Sequence, residues 1–309
     1  MEFDRNAPGK GLEIETTVEN GKANFQCIPH LQSVSEDRDS YLDLMIWNRE
    51  NQPVFRACHF LWQEEPIKGM ILHPHLWQGP EDAYLYQVQA MLRQGDGTVR
   101  DKLEKKLAFR KLAQIPYKGW ILNEKPIEIR AVAYQMPLPT SAEEKPEHRL
   151  WEDQLRRDLQ LIREMGANGI CSMKERETPI LQEICDEMGL IIWQENREDM
   201  PHFHQLLEDG FLTDCYYYHK ACWSKEPFVY ISRESMVYEK EGTLEVTVYS
   251  NQPKVALYVS GELFEFRTEG PEFIFQGIPI KQLPLLLTAE TRECNMSLWN
   301  HPIHKKFTI

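Results

Sequence analysis

The 309-residue chain contains no C-x-x-C pair, and its seven cysteines, at positions 27, 58, 171, 185, 215, 222 and 294, are scattered and odd in number. This pattern argues against a disulfide framework or a zinc ribbon and leaves reduced, mostly buried thiols as the expectation. Long hydrophobic runs are missing too. Leu283–Thr288 and Leu190–Trp193 are the kind of run present, far short of the roughly 20 residues that cross a bilayer. No Lys/Arg cluster with interleaved aromatics occurs, and the formal charge of −13 repels polyanions, so a nucleic-acid partner is not expected. The first residues, Met1-Glu2-Phe3-Asp4-Arg5, lack the basic, apolar, small-residue order of a secretory signal, and the expected location is the cytoplasm. Neither G-x-S-x-G nor a Gly-rich phosphate loop is present, which removes the nucleophile elbow and the nucleotide cradle. His73-x-His75 and His202-x-His204 have the spacing of a metal pair, but no third ligand lies near either in sequence, so neither a metal nor another cofactor is expected.

What is present is ample apolar material, 42% of residues with eight Trp, twelve Tyr and thirteen Phe, and no low-complexity tract. At this length two or three domains are expected. From Leu12 to about Arg110 short alternating runs follow one another, at Leu12–Val18, Tyr41–Trp47 and Tyr84–Leu92. Turn residues at Asn48–Pro53 and Gly95–Gly97 separate them, the pattern of an antiparallel sandwich. The period then changes. Trp151, Leu155, Leu159, Ile162 and Met165 recur three or four apart, one face of a helix that Gly166 stops. A second helix is expected from Pro179 to Met188, stopped by Gly189 and followed by the apolar strand Leu190–Trp193. Strand, helix, strand, helix, strand reads as two βαβ units on a parallel sheet. Tyr216–Trp223 fits either a helix or a buried linker. After Pro227 alternation returns at Phe228–Ile231, Leu244–Ser250, Val255–Val259 and Phe273–Phe275, with Ser260-Gly261 as a hairpin turn, so a second sandwich closes the chain.

Three stretches combine several residue types at fixed spacing. The first is His75-Leu76-Trp77 with Pro80-Glu81-Asp82-Ala83-Tyr84-Leu85-Tyr86, then Ala108-Phe109-Arg110 and Leu122-Asn123-Glu124-Lys125-Pro126. The second runs from Gly166-Ala167-Asn168-Gly169-Ile170 through Pro179 to Cys185-Asp186-Glu187-Met188-Gly189-Leu190 and Trp193-Gln194-Glu195. The third is Tyr216–Pro227 with Val248-Tyr249-Ser250-Asn251. In this order they resemble the β-galactosidase-type glycoside hydrolases of family 2, from the immunoglobulin-like domain into the catalytic barrel and out into a later sandwich. The resemblance implies an immunoglobulin-like β-sandwich over residues 1–115, a truncated TIM-barrel-like α/β domain of about three parallel strands over 116–225, and a second immunoglobulin-like β-sandwich over 226–309. It also implies that the family's jelly-roll domain and most of its barrel are missing, because only about 100 residues separate Trp120 from Trp223 where a closed barrel takes about 250.

Retaining glycoside hydrolysis requires two carboxyl groups about 5 Å apart. In the family both sit on later barrel strands, so the resemblance leaves this chain with no catalytic residue. Asn123-Glu124 mimics the family's acid/base pair but falls on a hairpin turn ahead of the first barrel strand. Cys171 and Lys174 stand where the family has an arginine and a histidine, and an arginine there would have stabilised developing charge. Trp193, Glu195, Tyr134 and Lys174 are the candidate carbohydrate-binding residues, with Trp120 as a further aromatic, against the plainer reading of core packing. Cys171 beside Lys174 is either a reactive thiol or, more simply, a buried one. The expectation is a protein without hydrolase activity of its own that binds a galactoside-type carbohydrate or assembles with a second copy or a partner subunit covering the open sheet at Leu190–Trp193. The rival is an active glycosidase whose missing strands come from a partner chain, or that has recruited carboxylates such as Glu195 with Glu175 or Glu177.

Overall fold

The computed structural model describes residues 1–32, 38–63, 65–117, 119–135, 145–172, 179–193, 201–239, 242–281 and 283–300. Strands dominate it, accompanied by three α-helices among the described residues: α1 (Lys145–Glu164), α2 (Pro179–Met188) and α3 (Asp214–Trp223). By internal contacts the chain forms two units, Met1–Ile129 with Lys174–Trp193, and Arg130–Met173 with Gln194–Ile309. α2 and the strand Ile191–Trp193 count with the first unit and α1 with the second.

The first unit is built on two antiparallel sheets. One takes Leu12–Glu19, Lys22–Pro29 and Ile67–Leu72 in that spatial order, the other Pro53–Phe60, Tyr41–Trp47, Tyr86–Arg93 and Val99–Leu107. Alternation is visible in the burial of Tyr86–Arg93, where Tyr86, Val88, Ala90 and Leu92 point inward, as the pleat requires. They share one core with Leu12, Phe25 and Cys27 of the facing sheet. Phe25 meets Phe55 edge to face with ring centroids 4.9 Å apart. Gly69 is required beneath that pair, since a Cβ there would lie 2.2 Å from the Phe25 ring. The third strand starts at Tyr86 rather than Tyr84, because the Tyr84 ring is held outside the ladder, stacked on His75 at 4.0 Å.

A small antiparallel sheet, Leu112–Ile115, Gly119–Leu122 and Lys125–Ile127, follows. Its second hairpin turns on Asn123 and Glu124, both in the left-handed region (φ 48° and 69°), as a two-residue type I′ turn demands. The Asn123 amide accepts from the Lys111 backbone N–H (2.9 Å) and donates to the Trp77 carbonyl (2.8 Å). Trp77 is fully buried, and its indole N–H donates to the Asp186 carbonyl of α2 at 2.9 Å. Gly189 ends α2 with φ +76°, and a Cβ there would lie 2.5 Å from the Gly79 carbonyl oxygen, so both the conformation and the space demand glycine.

In the second unit Ala131–Tyr134 and Gly169–Ser172 pair in parallel, Ala131 opposite Gly169 and Tyr134 opposite Ser172. α1 buries Leu155, Leu159 and Ile162, the face its period predicts. Two further antiparallel sheets enclose a second core of Val246, Val248, Leu257, Phe273, Phe275 and Leu287. Tyr216–Trp223 resolves as part of α3, whose Asp214 carboxylate accepts from Ser232 Oγ at 2.7 Å and from Ser235.

Candidate functional site

The parallel strands place the sequence-derived candidates differently. Tyr134 ends its strand 2% exposed, its hydroxyl donating to Asp158 Oδ2 at 2.9 Å and its ring edge-on to Phe203 at 5.2 Å. Asp158, on α1, also accepts from the Gln154 amide at 2.6 Å. Burial pushes the Asp158 carboxyl above the ordinary carboxylate range, while the bonds from Tyr134 and Gln154 pull the other way. This is a closed polar pair in an apolar setting, so Tyr134 presents no ring face for a sugar to stack on. Cys171, on the neighbouring strand, is also buried, at 8% exposure.

Trp193 lies in the first unit at the end of Ile191–Trp193, half-buried against Trp120 with ring centroids 5.7 Å apart, among Trp77, Leu122 and Ile191. Its indole nitrogen is buried and has no hydrogen-bond partner among the described residues. Such a donor is costly in an apolar surrounding. Lys174 and Glu195, with Glu175 and Glu177, lie outside the described residues. Of the four candidates, Tyr134 and Trp193 are described, each within its own unit.

The remaining motifs have structural partners. His75 Nε2 pairs with Asp82 Oδ2 at 2.5 Å, and the His202 and His204 rings lie 5.4 Å apart. No group of three metal-ligating side chains occurs among the described residues, and no helix among them is long and apolar enough to cross a membrane.

Sequence reasoning missed a set of facing charges. Lys106 Nζ reaches Glu187 Oε1 at 3.0 Å and Arg110 reaches Asp186 Oδ1 at 2.5 Å, with the Arg110 guanidinium also 4.6 Å over the Trp77 ring. A signal was present, since Glu183, Asp186 and Glu187 sit three and four apart on α2 and form an acidic stripe. Its basic counterpart lies about 80 positions away in the chain and could not be read from local spacing.

No family model matches the chain. A curated β-glucuronidase of Bacteroides fragilis is 30% identical over 132 residues, 42% of this chain but 18% of that relative's length. Among solved structures, the FMN-binding β-glucuronidase from Faecalibacterium prausnitzii L2-6 superposes with a TM-score of 0.76 at 14% identity, covering 97% of this chain and 75% of that one. A glycosyl hydrolase family 2 member from Bacteroides cellulosilyticus gives a TM-score of 0.64 at 13% identity, covering 94% of this chain and 63% of that one. In sequence over the matched segment, and in fold over nearly its whole length, this chain is similar to the family 2 glycoside hydrolases, the group of the β-glucuronidases and β-galactosidases.

Proposed function

We propose that this protein is a family 2 relative that does not hydrolyse glycosides by itself and serves in carbohydrate binding or assembly. The observation that carries the reading is the state of the parallel strands. The described end of Ala131–Tyr134 leads into the closed Tyr134–Asp158 pair, and Gly169–Ser172 contributes Cys171 and Ser172, neither of them a carboxylate. Hydrolysis in this family needs two facing carboxyl groups with open access between them. Asp158 is sealed beneath Tyr134, and Glu124 holds a hairpin turn. In this reading the chain keeps three inherited pieces: an immunoglobulin-like sandwich at 1–115, part of a TIM barrel at 116–225 and a second immunoglobulin-like sandwich at 226–309. It works in the cytoplasm, and a second copy or a partner subunit covers the strand Ile191–Trp193. Trp193, whose indole N–H has no partner among the described residues, is the best-supported of the carbohydrate contacts, with Glu195 two positions on in the chain and Lys174 and Tyr134 as the other candidates.

The test is turnover of chromogenic β-glucuronide, β-galactoside and β-mannoside substrates by the purified protein, alongside calorimetric titration with galactosides. The reading expects no turnover above buffer, and galactoside binding that Trp193→Ala weakens. Turnover that Glu195→Gln abolishes would establish the rival, a recruited carboxylate.

A further inference from the structure

The facing charges of the first unit form a ladder with one rung open. Along the sandwich edge stand Lys105, Lys106 and Arg110; along α2 stand Glu183, Asp186 and Glu187. Two rungs are closed, Lys106–Glu187 and Arg110–Asp186. The third is not. Among the described residues neither the Lys105 nor the Glu183 side chain has a hydrogen bond or an ion pair, although the charge of Glu183 acts on Lys105. Both are half-buried, and both line two adjoining hollows, of 450 and 540 Å³, on either side of the gap. Volumes of this order suit small-molecule ligands.

An ammonium withdrawn from water without a partner is costly, and so is a carboxylate. Burial accordingly lowers the proton affinity of Lys105 relative to an ordinary lysine, with Glu183 opposing the effect. The 450 Å³ hollow carries Lys105, Lys106 and Arg110 against Glu13, Glu183 and Asp186, three charges of each sign. A pure anion would satisfy Lys105 and leave Glu183 bare, and a pure cation would do the reverse. A molecule with both charges a few bonds apart satisfies the two together, while Ile14 and Leu112, both partly exposed, offer apolar wall to its frame.

We propose that the cleft between the sandwich edge and α2 is a binding site for a small zwitterion of the α-amino-acid class, its carboxylate on Lys105 and its ammonium on Glu183. The site is separate from the carbohydrate reading of Trp193 and does not depend on it.

Calorimetry and thermal melting of the whole chain with leucine, glutamine, lysine and glutamate as probes test the site, with acetate, methylammonium and glucose as single-function controls. At least one amino acid should bind and raise the melting temperature, and each control should bind at least about tenfold more weakly, the loss expected for one charge-assisted hydrogen bond. Lys105→Met and Glu183→Gln should each weaken amino-acid binding by a similar factor. A measurement on the unaltered protein needs no variant to fold: the bound amino acid should protect Lys105 from acetylation by acetic anhydride, read by peptide mass. Failure of all four amino acids to bind, equal binding of acetate or methylammonium, binding that survives both substitutions, or no protection of Lys105 would each overturn the proposal.

Discussion

At the residue scale the Tyr134–Asp158 pair is the most informative feature, because it buries an ionisable group at the end of a parallel strand. Asp158 is 5% exposed and its carboxyl titrates above its ordinary range, chiefly through burial. The folded state thus holds its proton more tightly than the unfolded chain. The stability this contributes is fully present below the unfolded carboxylate value of about 3.9 and is lost as pH rises through the folded value. Asp158→Asn keeps an acceptor for Tyr134 and removes the ionisable group, so urea denaturation should show the variant gaining on the wild type as pH is raised from acid to neutral. Asp158→Ala leaves the Tyr134 hydroxyl unpaired and should cost about 1–3 kcal/mol at neutral pH. A variant pair that tracks the wild type at every pH would show that the carboxyl is not buried. Trp77, fully enclosed and bonded to α2, carries a larger load, and Trp77→Ala should lose about 3–5 kcal/mol in the same experiment.

At the scale of elements, legibility followed the locality of the signal. α2 ran from Pro179 to Met188 as its punctuation indicated, and the face of α1 was plain from the spacing of Leu155, Leu159 and Ile162. α3 was ambiguous because its aromatics crowd every side, with Tyr216 and Ala221 alone fully turned inward. The Lys105–Glu183 gap was invisible, since it depends on a strand and a helix widely separated in sequence meeting in the fold. Tyr134 read as a candidate sugar platform because an aromatic at a strand end looks the same in sequence whether or not a helix carboxylate caps it. The Asn123-Glu124 turn offers a clean element-scale check. Glu124 holds φ 69°, a conformation that costs a side chain roughly 1 kcal/mol and glycine almost nothing. Glu124→Gly should therefore raise stability by about 0.5–1 kcal/mol in denaturant melts, whereas a catalytic Glu124 would show itself by loss of activity instead. Gly189→Ala should act in the opposite sense, destabilising by more than about 1 kcal/mol, because its Cβ would meet the Gly79 backbone.

At the scale of the whole molecule, the likeness to family 2 extends over nearly all of the chain in fold, while the curated relative matches it over 42% of its length. The chemistry does not follow automatically from the fold. Antiparallel sheets with a parallel strand pair make up the described fold, and a net charge of −13 repels polyanions. The proposed covering of Ile191–Trp193 by a second copy or a partner makes association part of the account. Sedimentation of the pure protein at micromolar concentration should find a dimer or larger species, and a well-behaved monomer would remove the self-association arm of that proposal. The central claim, a family 2 fold without working catalytic carboxylates, is tested most directly by intact-mass analysis after exposure to fluorinated β-glycosides that trap the covalent glycosyl-enzyme intermediate of retaining hydrolysis. The account predicts an unchanged protein mass with β-glucuronide, β-galactoside and β-mannoside reagents alike; a stoichiometric adduct on any aspartate or glutamate would contradict it.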